Sequence, residues 1–152
     1  MSVSARAAVL ERLAAGPGRL AAEAARVAAA EAVAGAPPGE WTPAQALAHL
    51  VAVEQQVWQA RLAMLDAPVE PDWLWTEPGP VADERAATLD GAAAQFAEVR
   101  AETLARLAAF NEATWGRTGV HAVYGRLDVT ALLTVAAAHD DEHLDGLRAR
   151  GR

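Results

Sequence analysis

Ala67-Pro-Val-Glu-Pro-Asp-Trp-Leu-Trp-Thr-Glu-Pro-Gly-Pro-Val-Ala82 is the stretch whose conformation decides the fold. Four prolines and a glycine forbid a helix there, and its sixteen residues are more than a simple helix-to-helix turn uses. Antiparallel neighbours need only a few connecting residues. A parallel pair instead requires the chain to travel back along a helix of roughly 35 Å, which about sixteen extended residues can span. The stretch is therefore expected to be a crossover between two parallel helices.

Upstream of it, apolar residues Val9, Leu10, Leu13, Leu20 and Val27 recur at helical spacing between Val3 and about Ala34. Gly16-Pro17-Gly18 is expected to kink or split that helix, and the run from Gly35 to Gly39 to end it. Thr42 followed by Pro43 gives an N-cap and a first-turn proline for a second helix, through Leu50, Val53, Val57 and Met64 to about Asp66. Downstream, Asp83 can cap a third helix that passes Leu89, Phe96, Val99, Leu104 and Leu107 and reaches Phe110. Asn111 to Leu127 is glycine-punctuated and reads as mostly irregular. Asp128 caps the last helix, whose stripe of Leu132, Val135, Ala136, His139, His143 and Leu147 ends near Ala149. The prediction is an all-α four-helix bundle in up-down-down-up order, one domain over residues 1–152.

Composition agrees and narrows the chemistry. The chain is 53% hydrophobic but rich in alanine, 5% aromatic and devoid of isoleucine, which favours close-packed helices over strands. A formal charge of −7 with unclustered arginines argues against nucleic acid. Without lysine there is no Schiff base and no P-loop, and without cysteine no thiolate ligand or nucleophile. Histidine and carboxylates are the reactive groups left. Arg6, Glu11 and Arg12 interrupt the N-terminal segment, and no uncharged apolar run approaches the roughly 18 residues a span needs, so a cytoplasmic protein without a membrane partner is expected.

His139 and His143, in Ala-Ala-Ala-His-Asp-Asp-Glu-His-Leu, stand four residues apart and so share one helix face. His49 flanks the stripe of Ala46, Leu50, Val53 and Val57, within about 60° of its centre. It lies about two turns into its helix, and the pair lies about two to three turns from the end of theirs, so antiparallel packing brings the levels together. Burial disfavours the charged imidazole and leaves neutral nitrogen for a Lewis acid, so His49, His139 and His143 are the candidate ligands of one metal ion. His121, beside Tyr124, reads as a loop residue rather than a fourth ligand. Glu54, Asp140, Asp141 and Glu142 form an acidic group that is mostly solvated, with Asp140 or Glu142 the candidates to orient a ligating histidine. Trp73 or Trp75 is placed at the mouth of the site. His-Asp-Asp-Glu-His departs from the His-Glu-x-x-His of zinc proteases, which disfavours protease chemistry.

Trp41-Thr-Pro-Ala-Gln-Ala-Leu-Ala-His49-Leu-Val-Ala-Val-Glu54, then Tyr124-Gly-Arg-Leu-Asp-Val-Thr-Ala-Leu-Leu, then His139-Asp-Asp-Glu-His143-Leu together resemble the DinB-like (DinB/YfiT) superfamily, in order along nearly the whole chain. The resemblance implies an up-down-down-up bundle and a three-histidine divalent site, often zinc or nickel, with water completing the shell; His49, His139 and His143 match those positions. It also implies a homodimer. Members include mycothiol-dependent maleylpyruvate isomerases, bacillithiol-type S-transferases and a domain of ergothioneine-forming enzymes. Leu144-Asp145 after the last histidine departs from the His-x-Glu ending of that third group. The leading expectation is a thiol-dependent S-transferase or isomerase that acts on a small-molecule electrophile, with a low-molecular-weight thiol as cosubstrate. The alternatives are a metal-dependent hydrolase using Glu54 or Asp140, and a non-catalytic metal-binding or dimerisation module.

Overall fold

The computed structural model describes residues 3–81 and 83–150, so Ala82, the predicted end of the crossover, lies outside the described residues. Helix α1 spans Val3–Ala34 and α2 spans Pro43–Val53. The α2 rod continues through a π-helical turn, Glu54–Gln59, into α3, Ala60–Ala63, and a 3-10 turn, Met64–Asp66. After the crossover come a 3-10 turn, Glu84–Ala87, then α4, Leu89–Ala108, the short α5, Glu112–Trp115, and finally α6, Val129–Ala149. Thr42 caps α2 through a reciprocal capping box with Gln45, and Asp128 caps α6, both as the sequence predicts. Asp83 caps only the 3-10 turn; Thr88 caps α4.

Side-chain pairings fix the helix directions. Between the α2 rod and α4, Glu54 meets Arg100 at 2.9 Å, Gln59 meets Thr103 at 3.2 Å and Asp66 meets Arg106 at 2.7 Å, so both chains advance together. Between α1 and α6, Arg12 meets Asp141 at 2.7 Å and Glu31 meets Arg150 at 2.5 Å, which makes that pair parallel as well. The short link between α1 and α2 reverses direction, and the order is up-down-down-up.

The segment from Asn111 to Leu127 is not irregular, which corrects the sequence reading. It holds α5 and two strands, β2 (Thr118–His121) and β3 (Gly125–Asp128), while β1 (Asp72–Trp73) lies inside the crossover. β1 pairs parallel with β2, and β2 pairs antiparallel with β3. Trp73, 1% exposed, packs so tightly under Gly119 that a Cβ there would come within 2.7 Å of the indole. This small sheet pins the crossover against the bundle.

α1 is one continuous helix through Pro17, so the expected split does not occur. Proline at 17 cannot donate to the Leu13 carbonyl one turn earlier, and Arg100 Nη1 donates to that carbonyl instead, at 2.7 Å. The same guanidinium donates to Glu54 through Nε and Nη2, at 2.9 Å each, and to Asp140 through Nη1 and Nη2, at 2.8 and 3.1 Å. All five of its N–H groups are thereby used. Arg100, Glu54 and Asp140 are 1%, 2% and 5% exposed, and the layer they form separates two apolar clusters. One centres on Leu13, Leu62, Leu107 and Leu133, the other on Leu20, Val51, Phe96 and Leu144.

Gly16 lets α1 approach this layer, since a Cβ there would stand 2.5 Å from Asp140 Oδ2. Arg100→Met should therefore cost about 3–5 kcal/mol by stranding two buried carboxylates, and Gly16→Ala about 1–3 kcal/mol by forcing the helices apart. Urea unfolding followed by circular dichroism checks both; an Arg100→Met variant within 1 kcal/mol of wild type, on the order of a surface substitution, would refute the first.

Candidate metal centre

The opposite directions of α2 and α6 bring His49 to the level of His139 and His143. One ring nitrogen of each lies within 4.8 Å of the others. The His49 ring centroid is 5.8 Å from that of His139 and 5.1 Å from that of His143. His139 Nε2 and His143 Nε2 face each other at 3.3 Å, close to the roughly 3.3–3.4 Å between two nitrogens bonded at about 2.0–2.1 Å to one tetrahedral ion. Trp41 packs on His49 at 4.8 Å and the edge of Trp58 on His139 at 6.2 Å, which steadies both rings.

The electrostatics keep the rings neutral. Burial pushes His139 down to about 4, helped by the positive charge of His49 and Arg100. Burial also pushes His143 down to about 4, with His139 and His49 adding to the effect and Glu142 and Asp140 opposing it. His49 is lowered by burial too, partly offset by Glu77. His139 Nδ1 is buried with no hydrogen-bond partner among the described residues. Neutral imidazoles whose ring nitrogens converge in this way form a donor set that suits a borderline divalent cation.

His49 and His139 line a cavity of about 560 Å³ whose walls include Val53, Val57, Trp58, Trp75 and Tyr124. That volume suits a small organic molecule. Trp75 stands at this cavity as expected, whereas Trp73 is buried under the sheet. His143 faces a second cavity of about 390 Å³, beside Trp41 and Glu142.

The carboxylates divide differently from the sequence reading. Glu54 and Asp140 are not solvated, and neither orients a histidine: both are buried on Arg100. Glu142 is the acidic member that lines both cavities. His121 is not in the histidine trio; it ends β2, is 7% exposed, and lies on the large cavity's wall beside Arg61. Sequence reasoning passed over Arg100 and Arg61. For Arg100 a signal existed, because Phe96, Arg100, Thr103 and Leu107 share one helical stripe, and a lone arginine there requires a buried partner.

The chain belongs to the DinB superfamily, whose family model matches residues 5–145. Among solved structures it is similar to YfiT from Bacillus subtilis, at 17% identity and a TM-score of 0.72, over 100% of this chain and 89% of that one. YfiT is described as a probable metal-dependent hydrolase with an unusual four-helix bundle topology. No curated protein matches the sequence. Among the described residues no helix is long and apolar enough to cross a membrane.

His139 and His143 titrate near 4 in the fold and near 6.5 in the unfolded chain, so between those values the unfolded state binds more protons. Their contribution to stability is complete above about pH 6.5 and is lost as the pH falls toward 4. The melting temperature of metal-free protein should drop over that window, and His139→Ala/His143→Ala protein should show a shallower slope. Thermal melts at half-unit pH steps check this; identical slopes would refute it.

Proposed function

We propose that His49, His139 and His143 hold one divalent metal ion, zinc or nickel, and that the protein transfers or isomerises a small electrophile using a low-molecular-weight thiol. The observation that carries this reading is the convergence of three neutral imidazoles, two of which, His49 and His139, line an apolar, aromatic-walled cavity. Held by His49, His139 and His143, a divalent cation would supply Lewis-acid chemistry, lowering the pKa of a thiol or water brought to it. Val53, Val57, Trp58 and Trp75 give the electrophile an apolar bed.

Two facts favour a thiol over water as the nucleophile. A thiol titrates near 8.5 and water near 15.7, so the thiol makes a far smaller demand on a protein base. The bases first considered, Glu54 and Asp140, are both engaged by Arg100. A second reading, hydrolysis, is favoured by the description of YfiT and by Glu142, the carboxylate positioned at the cavities to accept a proton from water. On either reading the substrate is a small molecule.

Elemental analysis of purified protein should find about one divalent metal per chain, largely lost in His143→Ala. Turnover of monochlorobimane with cysteine or glutathione should fall about 100-fold or more in that variant, on the scale of losing a Lewis acid. Equal rates would discard the thiol mechanism. Metal-dependent cleavage of p-nitrophenyl esters without thiol would select hydrolysis.

A further inference from the structure

Two arginines among the described residues are buried, and they are treated oppositely. Arg100 has two carboxylates. Arg61, on α3 and 6% exposed, has no carboxylate within ion-pairing distance among the described residues. Its Nη2 donates to the Leu74 carbonyl at 3.1 Å, and its Cζ lies 5.3 Å from the Trp58 ring centroid. A buried, permanently charged guanidinium without a counter-anion is costly.

Its remaining neighbour sharpens the case. The backbone N–H groups of Val123 and Tyr124 donate to His121 Nδ1, at 3.1 and 3.3 Å. Nδ1 is therefore the acceptor, and a neutral His121 carries its proton on Nε2. That nitrogen lies 3.2 Å from Arg61 Nη1, itself a donor. Two donors thus face each other on the wall of the cavity that His49 and His139 also line, with no acceptor between them. An oxygen seated there would accept from both.

We propose that Arg61 and His121 form a cradle for the carboxylate of an organic monoanion, whose apolar body lies along Trp58 and Trp75 toward the histidine trio. This rests on the reading of the cavity as the site of chemistry, and it names the substrate class. A carboxylate matches the guanidinium fork, on which Nη2 has one N–H still free and Nη1, facing another donor, has both. One positive charge fits one negative charge. Glu77 and Glu142 line the same cavity and disfavour a dianion such as a phosphate ester.

The test is calorimetric titration of metal-loaded protein and of the His143→Ala variant with benzoate, its neutral isostere benzamide, and phenylphosphonate. Benzoate should bind about tenfold tighter than benzamide or more, in both proteins, and tighter than phenylphosphonate. Arg61→Gln should erase the preference, and His121→Phe should reduce it severalfold. Equal binding of benzoate and benzamide by wild type overturns the cradle without any need for a folded Arg61 variant. A preference that survives Arg61→Gln but vanishes in His143→Ala places the carboxylate on the metal and overturns the cradle alone. If neither wild type nor His143→Ala holds metal while the Arg61-dependent preference persists, the cradle stands and the metal reading falls.

Discussion

The bundle depends on one buried guanidinium. Arg100 on α4 holds Glu54 on the rod that begins with α2, Asp140 on α6 and the Leu13 carbonyl on α1, so a single side chain references all four long elements. Fixed geometry makes this more than a point charge: the five donors lie in one plane, and each partner must reach its own corner of it. Buried ion pairs of this kind contribute little net stability but penalise every alternative in which a partner is missing. An alanine-rich sequence makes that penalty useful, because small side chains interlock weakly and leave helices free to slide or rotate. With two apolar clusters on either side, the polar layer acts as a register pin for α1, α2, α4 and α6.

The histidine trio inherits its geometry from that pin. Asp140 directly follows His139, so the contacts from Arg100 to both Asp140 oxygens set the rotation of α6 about its axis at the turn that carries His139 and His143. Glu54 lies five residues beyond His49 and fixes α2 in the same way. The layer formally holds two carboxylates against one guanidinium. Its members act unequally on the trio: the Arg100 charge disfavours positive charge at His139, and Asp140 favours it at His143.

Much of this was legible in the sequence. Strong 3.6-residue periodicity marked the helices, Thr42-Pro43 and Asp128 marked two starts, and the length and proline content of the crossover forced the parallel central pair. The trio was legible because histidines four apart on an apolar stripe, matched in level by a third, leave few other arrangements. The small sheet was not, since its strands of two to four residues carry no alternation that the eye can test, and β1 finds its partner far along the chain. The Arg100 layer was obscured by reading carboxylates one at a time. Glu54, Arg100 and Asp140 each sit on an apolar stripe of a different helix, and only together does each buried charge find an opposite one.

Arg61 eluded the sequence for a different reason, which lies in the π-helical turn. His49 and Arg61 are twelve residues apart; in an unbroken α-helix they would point about 120° away from each other and could not share a cavity. The turn at Glu54–Gln59 absorbs one extra residue, leaving an effective spacing of eleven and an angular difference of about 20°. His49 and Arg61 then line one cavity. The turn begins at Glu54, the residue clamped by Arg100 and by Thr103 at 2.7 Å, so the local irregularity is held by the same buried layer that registers the bundle. A helix wheel drawn from the sequence lacks the extra residue and places Arg61 on another face. The irregular turn thus joins the histidine end and the arginine end of one cavity.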